Sequence, residues 1–363
     1  MRVAVIEPYY GGSHQAWADG YRANSQHQVT LFTHEARFWK WPMHGSYVTL
    51  AGEFVEYVRE HGRFDVILAT DMVHLPAFLG AVGTTRADAT VALYMHENQL
   101  TYPLSPRDSV DEAYAMINWA SMTVADAVYF NSRFHHDVWF AQIGGLLNRF
   151  PDYKHTDLLP AVVAKASVLP IGVDLSRFDD SVGDPGEVPL ILWNQRWDFD
   201  KGPNEFAAAM IELATSHDFA LALAGEQITE IEAFTRLQVE LGDRIVHGSF
   251  ATDAEYAALL GGADIVVSTA TQEFFGIAVT EAIYAGAFPV LPSTLVYPER
   301  IPPGLHSACL YEEGALVDHL RWALDHPAER QRVVSELRAV MAKFDWPAVA
   351  PLYDAALSEI HGG

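Results

Sequence analysis

The chain of 363 residues is long enough for two domains, and half of its residues are hydrophobic, so we expect substantial buried cores. It contains no run of about 18 apolar residues, so no membrane-spanning helix is predicted. The formal net charge of −24 argues against a general affinity for nucleic acids or anionic membranes. The single cysteine, Cys309, excludes an internal disulfide and a cysteine metal cluster. Because the N-terminus also lacks the features of a signal peptide, we predict a cytoplasmic protein.

Short apolar runs rich in β-branched residues alternate with helical stretches along the chain, as is typical of strands buried on both faces of a parallel sheet. This pattern predicts two Rossmann-like, doubly wound α/β domains that face a cleft. A polar segment rich in turn formers, 179–187, is the best linker. We therefore assign 1–175 to the first domain, 186–340 to the second and 341–363 to a C-terminal helix that crosses back. The predicted strands are 3–6, 29–32, 66–69, 91–95, 128–130 and 167–169, then 190–193, 221–224, 245–247, 265–268, 288–291 and 309–310.

A glycine pair follows the first predicted strand. Gly11 and Gly12 let the backbone approach a phosphate closely, so we predict that they contact the donor substrate, with His14 just beyond them. Glu35, after the second strand, resembles the acidic ribose ligand of NAD-binding proteins. The glycine run is not G-x-G-x-x-G, however, and a dinucleotide site would leave the motifs of the second half unexplained.

Aromatic and basic residues cluster after the second predicted strand. Flat rings beside cations can stack on a planar base or a sugar, and a packed aromatic loop is the alternative interpretation. We predict that this loop binds the acceptor substrate through Arg37, Trp39, Lys40, Trp41 and His44.

The fourth predicted strand is followed by His-Glu-Asn-Gln. A histidine at the carboxyl end of a strand can hydrogen-bond a reacting sugar or its acceptor, so we predict that His96 is catalytic. Glu97, Asn98 and His14 are predicted to bind the acceptor. An ordinary loop histidine beside a capping carboxylate is the alternative. The histidines, which include His135 and His136, lack a regular ligand spacing, so no metal site is predicted.

In the second half, a segment bounded by two glutamates follows a strand and opens a helix. Gly276 permits close backbone approach, and the first N–H groups of the helix suit phosphate oxygens. Glu273 and Glu281 can accept hydrogen bonds from ligand hydroxyls. The alternative is a helix N-terminus with an acidic first turn. An arginine and a lysine, Arg196 and Lys201, follow the strand 190–193; alone they could simply be exposed loop residues.

The glutamate segment resembles the E-x7-E motif of retaining GT-B glycosyltransferases of family 4. By that resemblance Glu273 contacts the donor sugar and Glu281 the nucleotide ribose, with Phe275, Gly276 and Ile277 also at the donor. Arg196 and Lys201 match the Arg and Lys-Gly with which the family grips the donor diphosphate. Two fixed cations can stabilise the charge that develops on this leaving group in place of a divalent metal. The resemblance thus implies retaining transfer from a nucleotide-sugar without a metal or other cofactor.

Further motifs resemble one subfamily, the tRNA-queuosine α-mannosyltransferases. This resemblance implies GDP-mannose as donor and queuosine in a tRNA anticodon as acceptor. Three alternatives stay open: transfer to a small molecule or glycan, a nucleotide-sugar epimerase or hydrolase, and a catalytically inactive nucleotide-binding or scaffold protein. The motifs that carry the resemblance are 6–14, 39–45, 95–103, 130–132, 193–198 with Lys201, and 273–276 through 295–299.

Overall fold

The computed structural model describes residues 1–102, 111–181, 186–226 and 232–362. The chain divides into two compact units, unit 1 (Met1–Val173 with Trp346–Gly363) and unit 2 (Asp174–Asp345). The predicted linker, 179–187, therefore begins inside unit 2, and its residues 182–185 lie outside the described part. Asp179 is tied to unit 2 because its Oδ1 accepts hydrogen bonds from the Tyr284 hydroxyl at 2.7 Å and from Arg338 at 3.1 Å.

Each unit is built on a parallel sheet of six strands, and all twelve predicted strands are present in the described residues. The order in unit 1 is β2-β1-β3-β4-β5-β6, and in unit 2 it is β12-β11-β10-β7-β8-β9. These are the two common orders of doubly wound sheets. The strands are β1 Arg2–Tyr10, β2 Gln28–Glu35, β3 Val66–Thr70, β4 Thr90–Met95, β5 Ala127–Phe130, β6 Ala166–Val168, β7 Leu190–Trp193, β8 Ala220–Ala224, β9 Ile245–Ser249, β10 Ile265–Val267, β11 Phe288–Pro292 and β12 Leu310–Tyr311.

Helices connect successive strands, as parallel pairing requires. Within the described ranges, no helix is both long enough and apolar enough to cross a membrane. The helices are α1 Gly12–Asn24, α2 Lys40–His61, α3 Leu75–Val82, α4 Glu112–Val124, α5 Arg133–Leu147, α6 Leu159–Ala164, α7 Pro203–Leu213, α8 Glu232–Leu241, α9 Asp253–Gly262, α10 Ile277–Ala285, α11 Tyr297–Arg300, α12 His306–Cys309, α13 Leu316–Asp325, α14 Pro327–Met341 and α15 Trp346–Gly362.

The terminal helix α15 belongs to unit 1 and completes its core. Successive side chains of a strand point to opposite faces of the sheet, so Tyr94 of β4 lies on the other side from Leu93. Tyr94 stacks on Trp17 of α1 at 4.9 Å between ring centroids and lies 5.7 Å from Tyr353 of α15. The Trp17 indole N–H donates to the Tyr353 hydroxyl at 2.9 Å. These buried aromatic rings fix α1, and with it the loop that precedes α1, on the sheet.

Candidate functional site

Both sheets have a topological switch point, where the connections of two neighbouring strands leave in opposite directions. Ligands of open α/β sheets bind beyond the carboxyl ends of the strands at this point. In unit 1 it lies between β1 and β3, and in unit 2 between β7 and β10. The glycine pair and His14 follow β1, Arg196 and Lys201 follow β7, and Glu273 follows β10. The predicted residues therefore collect at the two places where the folds favour a ligand.

The loop that carries Lys201 is locked to the loop after β10. The Thr269 hydroxyl donates to the Lys201 carbonyl at 2.8 Å, and the Thr271 N–H donates to the Asp200 carbonyl at 2.8 Å. Gly202 has a left-handed φ of 65°, and a Cβ there would lie 2.1 Å from the Thr269 carbonyl oxygen. A glycine is therefore required both by the backbone conformation and by this close approach. The two motifs meet in space because the two loops interlock.

Replacing Gly202 by alanine should lower the free energy of unfolding by about 1–3 kcal/mol, because the new Cβ meets a backbone oxygen and the left-handed conformation becomes strained. Urea denaturation of the wild type and of Gly202→Ala measures this difference in the free energy of unfolding. Gly304→Ala is the matched control in the same unit, since a Cβ at that position would meet no atom within 4 Å and its φ lies outside the left-handed region. Equal stability of the two variants would contradict the interlocked-loop interpretation.

Glu273 and Lys201 form an ion pair at the N-terminus of α10. The Lys201 Nζ donates to Glu273 Oε2 at 3.3 Å and to the Gln272 carbonyl at 3.0 Å, and lies 3.1 Å from Asp200 Oδ2. Glu273 Oε1 accepts from the N–H of Gly276 at 3.0 Å. Burial on its own would raise the pKa of Glu273, but Lys201 and the backbone N–H groups outweigh it and hold that pKa below its ordinary value. Glu273 is thus ionised and fixed in place.

The helix that follows begins at a glycine in the left-handed region. Gly276, with φ of 82°, is the residue before the first turn of α10, and no side chain caps that end of the helix. Phe275 and Ile277 are its neighbours in the chain, and the Phe275 side chain is buried. That these two residues contact the donor stays a prediction. The N–H groups of the first turn and the helix dipole favour an anionic ligand here.

Glu281 is buried and held by two residues that the sequence analysis missed. Its Oε1 accepts from Arg177 Nη2 and its Oε2 from the Tyr256 hydroxyl, both at 2.8 Å. Burial raises the pKa of Glu281 even though Arg177 lies beside it. A carboxylate has about four lone-pair sites, so these two bonds leave capacity for ligand hydroxyls. Arg177 and Tyr256 carry no local motif, and only the tertiary structure brings them to Glu281.

Arg196 differs from Lys201 in its surroundings. It is exposed, whereas Lys201 is buried with only 8% of its surface accessible. The two cations are close enough for Arg196 to oppose protonation of Lys201. Burial also lowers the pKa of Lys201, but Glu273 and Asp200 raise it above its ordinary value. The structure therefore brings the predicted pair together, with one cation buried and one at the surface.

A second cluster lies at the carboxyl edge of unit 1. His14 Nδ1 lies 2.9 Å from Glu7 Oε2, and His96 Nε2 lies 3.9 Å from the same oxygen. The rings of His14 and His96 are 4.3 Å apart, and all three residues are buried. Both histidines were predicted from the sequence, but Glu7 was not. A charged residue directly after the apolar run Val3–Ile6 was the available indication, because a buried charge needs a partner.

Two neighbouring strand ends hold the backbone of His96. Its N–H donates to Asp71 Oδ1 at 2.9 Å, and its carbonyl accepts from Asn131 Nδ2 at 2.7 Å. Burial raises the pKa of Asp71 to about 7 against the opposing effect of His14. Burial also lowers the pKa of His96 well below its ordinary value, and His14 and His135 lower it further. His96 is therefore neutral.

The donor atoms of Glu7, His14 and His96 lie within 4.8 Å of one another, which raises the question of a metal ion. Two ligands of a tetrahedral zinc ion would be about 3.3 Å apart, given metal–ligand bonds of about 2.0–2.1 Å. The Glu7–His14 separation of 2.9 Å is instead that of a hydrogen bond, and the 3.9 Å to His96 is too long. The cluster therefore has the geometry of an ion pair beside a neutral histidine.

The other predicted residues of unit 1 are placed as follows. Gly11 and Gly12 open α1, and no side chain caps this helix end. Glu97 is half-buried and acts electrostatically on His14. Asn98 is buried and shapes its own loop, because its Oδ1 accepts hydrogen bonds from the N–H groups of Leu100 and Thr101. Asn98 thus serves the loop conformation in addition to any contact with an acceptor.

The predicted aromatic loop is wrong in its local structure, because α2 begins at Lys40 and includes Trp41 and His44. The helix can form because neither Lys40 nor Trp41 opposes it and Pro42 lies in the first turn, where it is tolerated. Trp41 is 67% exposed. The Trp39 ring packs against the Tyr114 ring at 5.0 Å between centroids, and the Lys40 ammonium lies 5.5 Å from the centroid of the Trp39 ring. Arg37 is paired with Glu35 at 2.8 Å. The rings of Trp39 and Trp41 therefore lie exposed at the N-terminal end of α2.

The family models match both units. Residues 2–173 match the model described as tRNA-queuosine alpha-mannosyltransferase N-terminal, and residues 176–340 match glycosyl transferases group 1. A tRNA-queuosine alpha-mannosyltransferase from Drosophila melanogaster is 31% identical over 312 residues, which cover 83% of this chain and 81% of that protein. The chain belongs to the tRNA-queuosine alpha-mannosyltransferase family. This family member is accordingly a glycosyltransferase.

Other relatives agree at the level of enzyme class and fold. A GDP-mannose:cellobiosyl-diphosphopolyprenol alpha-mannosyltransferase from Xanthomonas campestris is 27% identical over 216 residues, which cover 54% of each chain. A sucrose-phosphate synthase from Thermosynechococcus elongatus has a TM-score of 0.72 at 19% identity and covers 100% of this chain and 99% of its own. The Anabaena protein HepE in complex with UDP has a TM-score of 0.71 at 16% identity, with 99% and 100% covered. The GT-B fold predicted for this family member is confirmed.

Proposed function

We propose that the protein transfers a mannosyl group from GDP-mannose to queuosine in tRNA, with retention of the anomeric configuration. The observation that carries this proposal is the 31% identity to the tRNA-queuosine alpha-mannosyltransferase of Drosophila melanogaster over 83% of the chain. The match of residues 2–173 to the N-terminal model of the same name supports the acceptor, because this half is matched separately from the general glycosyltransferase half. The relative from Xanthomonas campestris supports GDP-mannose as donor.

In this proposal unit 2 binds the donor. Lys201, Arg196 and the N-terminus of α10 bind the diphosphate, Glu273 the mannose hydroxyls and Glu281 the ribose. As the bond between the sugar and the diphosphate breaks, negative charge grows on the diphosphate. Cations that are already in place stabilise this charge without having to reorganise. The Lys201 ammonium is anchored on the Gln272 carbonyl at 3.0 Å, which supports such preorganisation.

Unit 1 binds the acceptor in this proposal. The exposed rings of Phe38 and Trp41 can stack on a planar base, and Arg37 and Lys40 can approach phosphates. Such a concentrated contact would have to offset the net charge of −24, which repels a polyanion at long range. That charge favours the second candidate, transfer to a small molecule or glycan acceptor. We place the enzyme in the cytoplasm, where tRNA is found.

The proposal is tested by incubating the enzyme with GDP-mannose and queuosine-containing tRNA, followed by nucleoside mass spectrometry. The expected result is one added hexose on queuosine, with an α linkage by NMR. The matched control is tRNA that carries guanosine at the same position. Transfer to a glycan or small molecule without any gain on queuosine would reject the tRNA acceptor. A β linkage would reject retention.

In this proposal Lys201, Arg196 and the α10 dipole bind the leaving group, so we expect that transfer does not require a metal ion. We expect an unchanged rate after treatment with EDTA and after addition of Mg²⁺ or Mn²⁺. Loss of activity with EDTA and its return with a divalent ion would contradict this. In that case Glu7→Gln would show whether the ion binds at the Glu7–His14–His96 cluster.

A further inference from the structure

Glu7 is a buried carboxylate at the carboxyl edge of the parallel sheet of unit 1. Its exposed fraction is 0%, and it continues the apolar run of β1. An ionised carboxylate in such a place is costly unless charge and hydrogen bonds compensate for it. Glu7 Oε1 accepts from the Tyr9 N–H at 2.8 Å, and Oε2 faces His14 Nδ1 at 2.9 Å. The fold therefore retains a buried charge at the switch point of unit 1.

The glycine pair and α1 place His14 over this carboxylate. His14 lies in the first turn of α1, whose position is fixed by the contacts of Trp17 with Tyr94 and Tyr353. Its ring packs between Tyr9 at 5.6 Å and His96 at 4.3 Å. Because Nδ1 is used by Glu7, Nε2 is the ring nitrogen that remains for a substrate. A carboxylate that holds Nδ1–H fixes the orientation of an imidazole and stabilises its protonated form.

The charges around His14 favour its protonated form. Carboxylates face it from three strand ends, namely Glu7 of β1, Asp71 after β3 and Glu97 after β4, and His96 lies beside it. Burial on its own lowers the pKa of His14, but these carboxylates outweigh it, Glu7 most of all, and raise that pKa to about 9. His96 is kept neutral by burial and by the two neighbouring histidines, His14 and His135.

We propose that Glu7 is a positioning residue that holds His14 as an imidazolium, and that His14 Nε2–H donates a hydrogen bond to an oxygen of the acceptor substrate. The assignment to the acceptor rests on the proposed function and on position, since Glu7 and His14 lie within the half matched by the tRNA-queuosine alpha-mannosyltransferase N-terminal model. His14 is then the histidine that touches substrate. His96, whose Nε2 is buried and faces Glu7, completes the wall behind it.

The test is the pH dependence of transfer in the Glu7→Gln variant. The wild-type enzyme should stay active from neutral pH up to about pH 9 and lose activity above it, as His14 loses its proton. Without the carboxylate, burial and the neighbouring groups set the pKa of His14, so the alkaline fall should move down by more than about one pH unit. At pH 8.5 a shift of the His14 pKa from about 9 to about 8 lowers the protonated fraction of His14 about threefold. The kcat/KM for the acceptor should then fall about threefold, and further if the shift is larger. KM for GDP-mannose should stay unchanged.

Asp137→Asn is the matched control, because Asp137 also pairs with a histidine, His136 at 2.7 Å, but is 61% exposed. Its pH profile should be that of the wild type.

If Glu7→Gln does not fold, the double variant Glu7→Gln/His14→Gln replaces the buried ion pair by two neutral amides. It should lose the fall in activity near pH 9. An unshifted alkaline limb in Glu7→Gln, or in the double variant, would overturn the proposal, as would a rise in KM for GDP-mannose alone.

NMR titration of the His14 imidazole in the substrate-free protein separates this inference from the proposed function. We expect a His14 pKa near 9 in the wild type and a lower His14 pKa in Glu7→Gln, whatever the acceptor is. If queuosine is not modified but the titration behaves as described, the proposed acceptor fails and the ion pair stands. If queuosine is modified but His14 titrates at its ordinary pH, the inference fails alone.

Discussion

Replacing Arg196 by alanine is expected to lower kcat by about 10²–10³-fold, as does the removal of one preorganised donor to a developing negative charge. Arg196 is exposed, so its loss should affect the stability of the fold less than the loss of the buried Lys201. The effect should fall mainly on kcat, because charge on the diphosphate is greatest in the transition state. Steady-state kinetics with GDP-mannose as the variable substrate measures both parameters.

Arg236→Ala is the control for this variant, because Arg236 is an exposed arginine of α8 in the same unit. It removes one positive charge from unit 2 without touching the predicted donor site, and its kcat should equal that of the wild type. If Arg196→Ala turns over as fast as Arg236→Ala, the assignment of Arg196 to the diphosphate is wrong.

Replacing Lys201 by methionine should reduce both activity and stability. Lys201 neutralises Asp200 at 3.1 Å and Glu273 at 3.3 Å in a buried setting. Removing one partner of a buried pair costs about 3–5 kcal/mol, because the remaining charge is left uncompensated. The free energy of unfolding of unit 2 in urea should fall by this amount, and kcat should fall by about 10²-fold or more. Lys343→Met, an exposed change in the same unit, is the control.

The stability loss of Lys201→Met should depend on pH. In the wild type the pKa of Glu273 is held below its ordinary value, so this pairing contributes stability above that ordinary value and loses it as pH falls through the lowered pKa. In the variant burial dominates and raises the pKa of Glu273, so protonation relieves the buried charge as the pH falls. The difference in free energy of unfolding between the wild type and Lys201→Met should therefore be largest near pH 7.5 and smaller near pH 5. A gap that is independent of pH would contradict the ion-pair interpretation.

The local motifs were predictable because each depends on residues close together in the chain. The twelve strands followed from short apolar runs, and the helix start at Gly276 followed from the glycine and the strand before it. The aromatic segment was the exception. Its rings suggested a loop, but Lys40–His61 forms one helix because its apolar residues, among them Leu50 and Phe54, are buried in the core of unit 1. Tertiary packing outweighed the local composition there.

The order of strands and helices could be predicted from local patterns in the chain. The same holds for the motifs of the two units and for the charged side chains at strand ends. The interaction partners of these charged side chains could be identified only from the tertiary structure. Arg177 and Tyr256 reach Glu281 across 104 and 25 residues of chain, and Glu7 meets His96 across a sheet in which β3 separates β1 from β4. The directions in which the pKa values of His14, Glu273 and Glu281 shift follow from these partners and from burial. The physical reason is that parallel strands bring their carboxyl ends to one edge whatever their separation in the chain, and the free energy of a charge depends on what lies there.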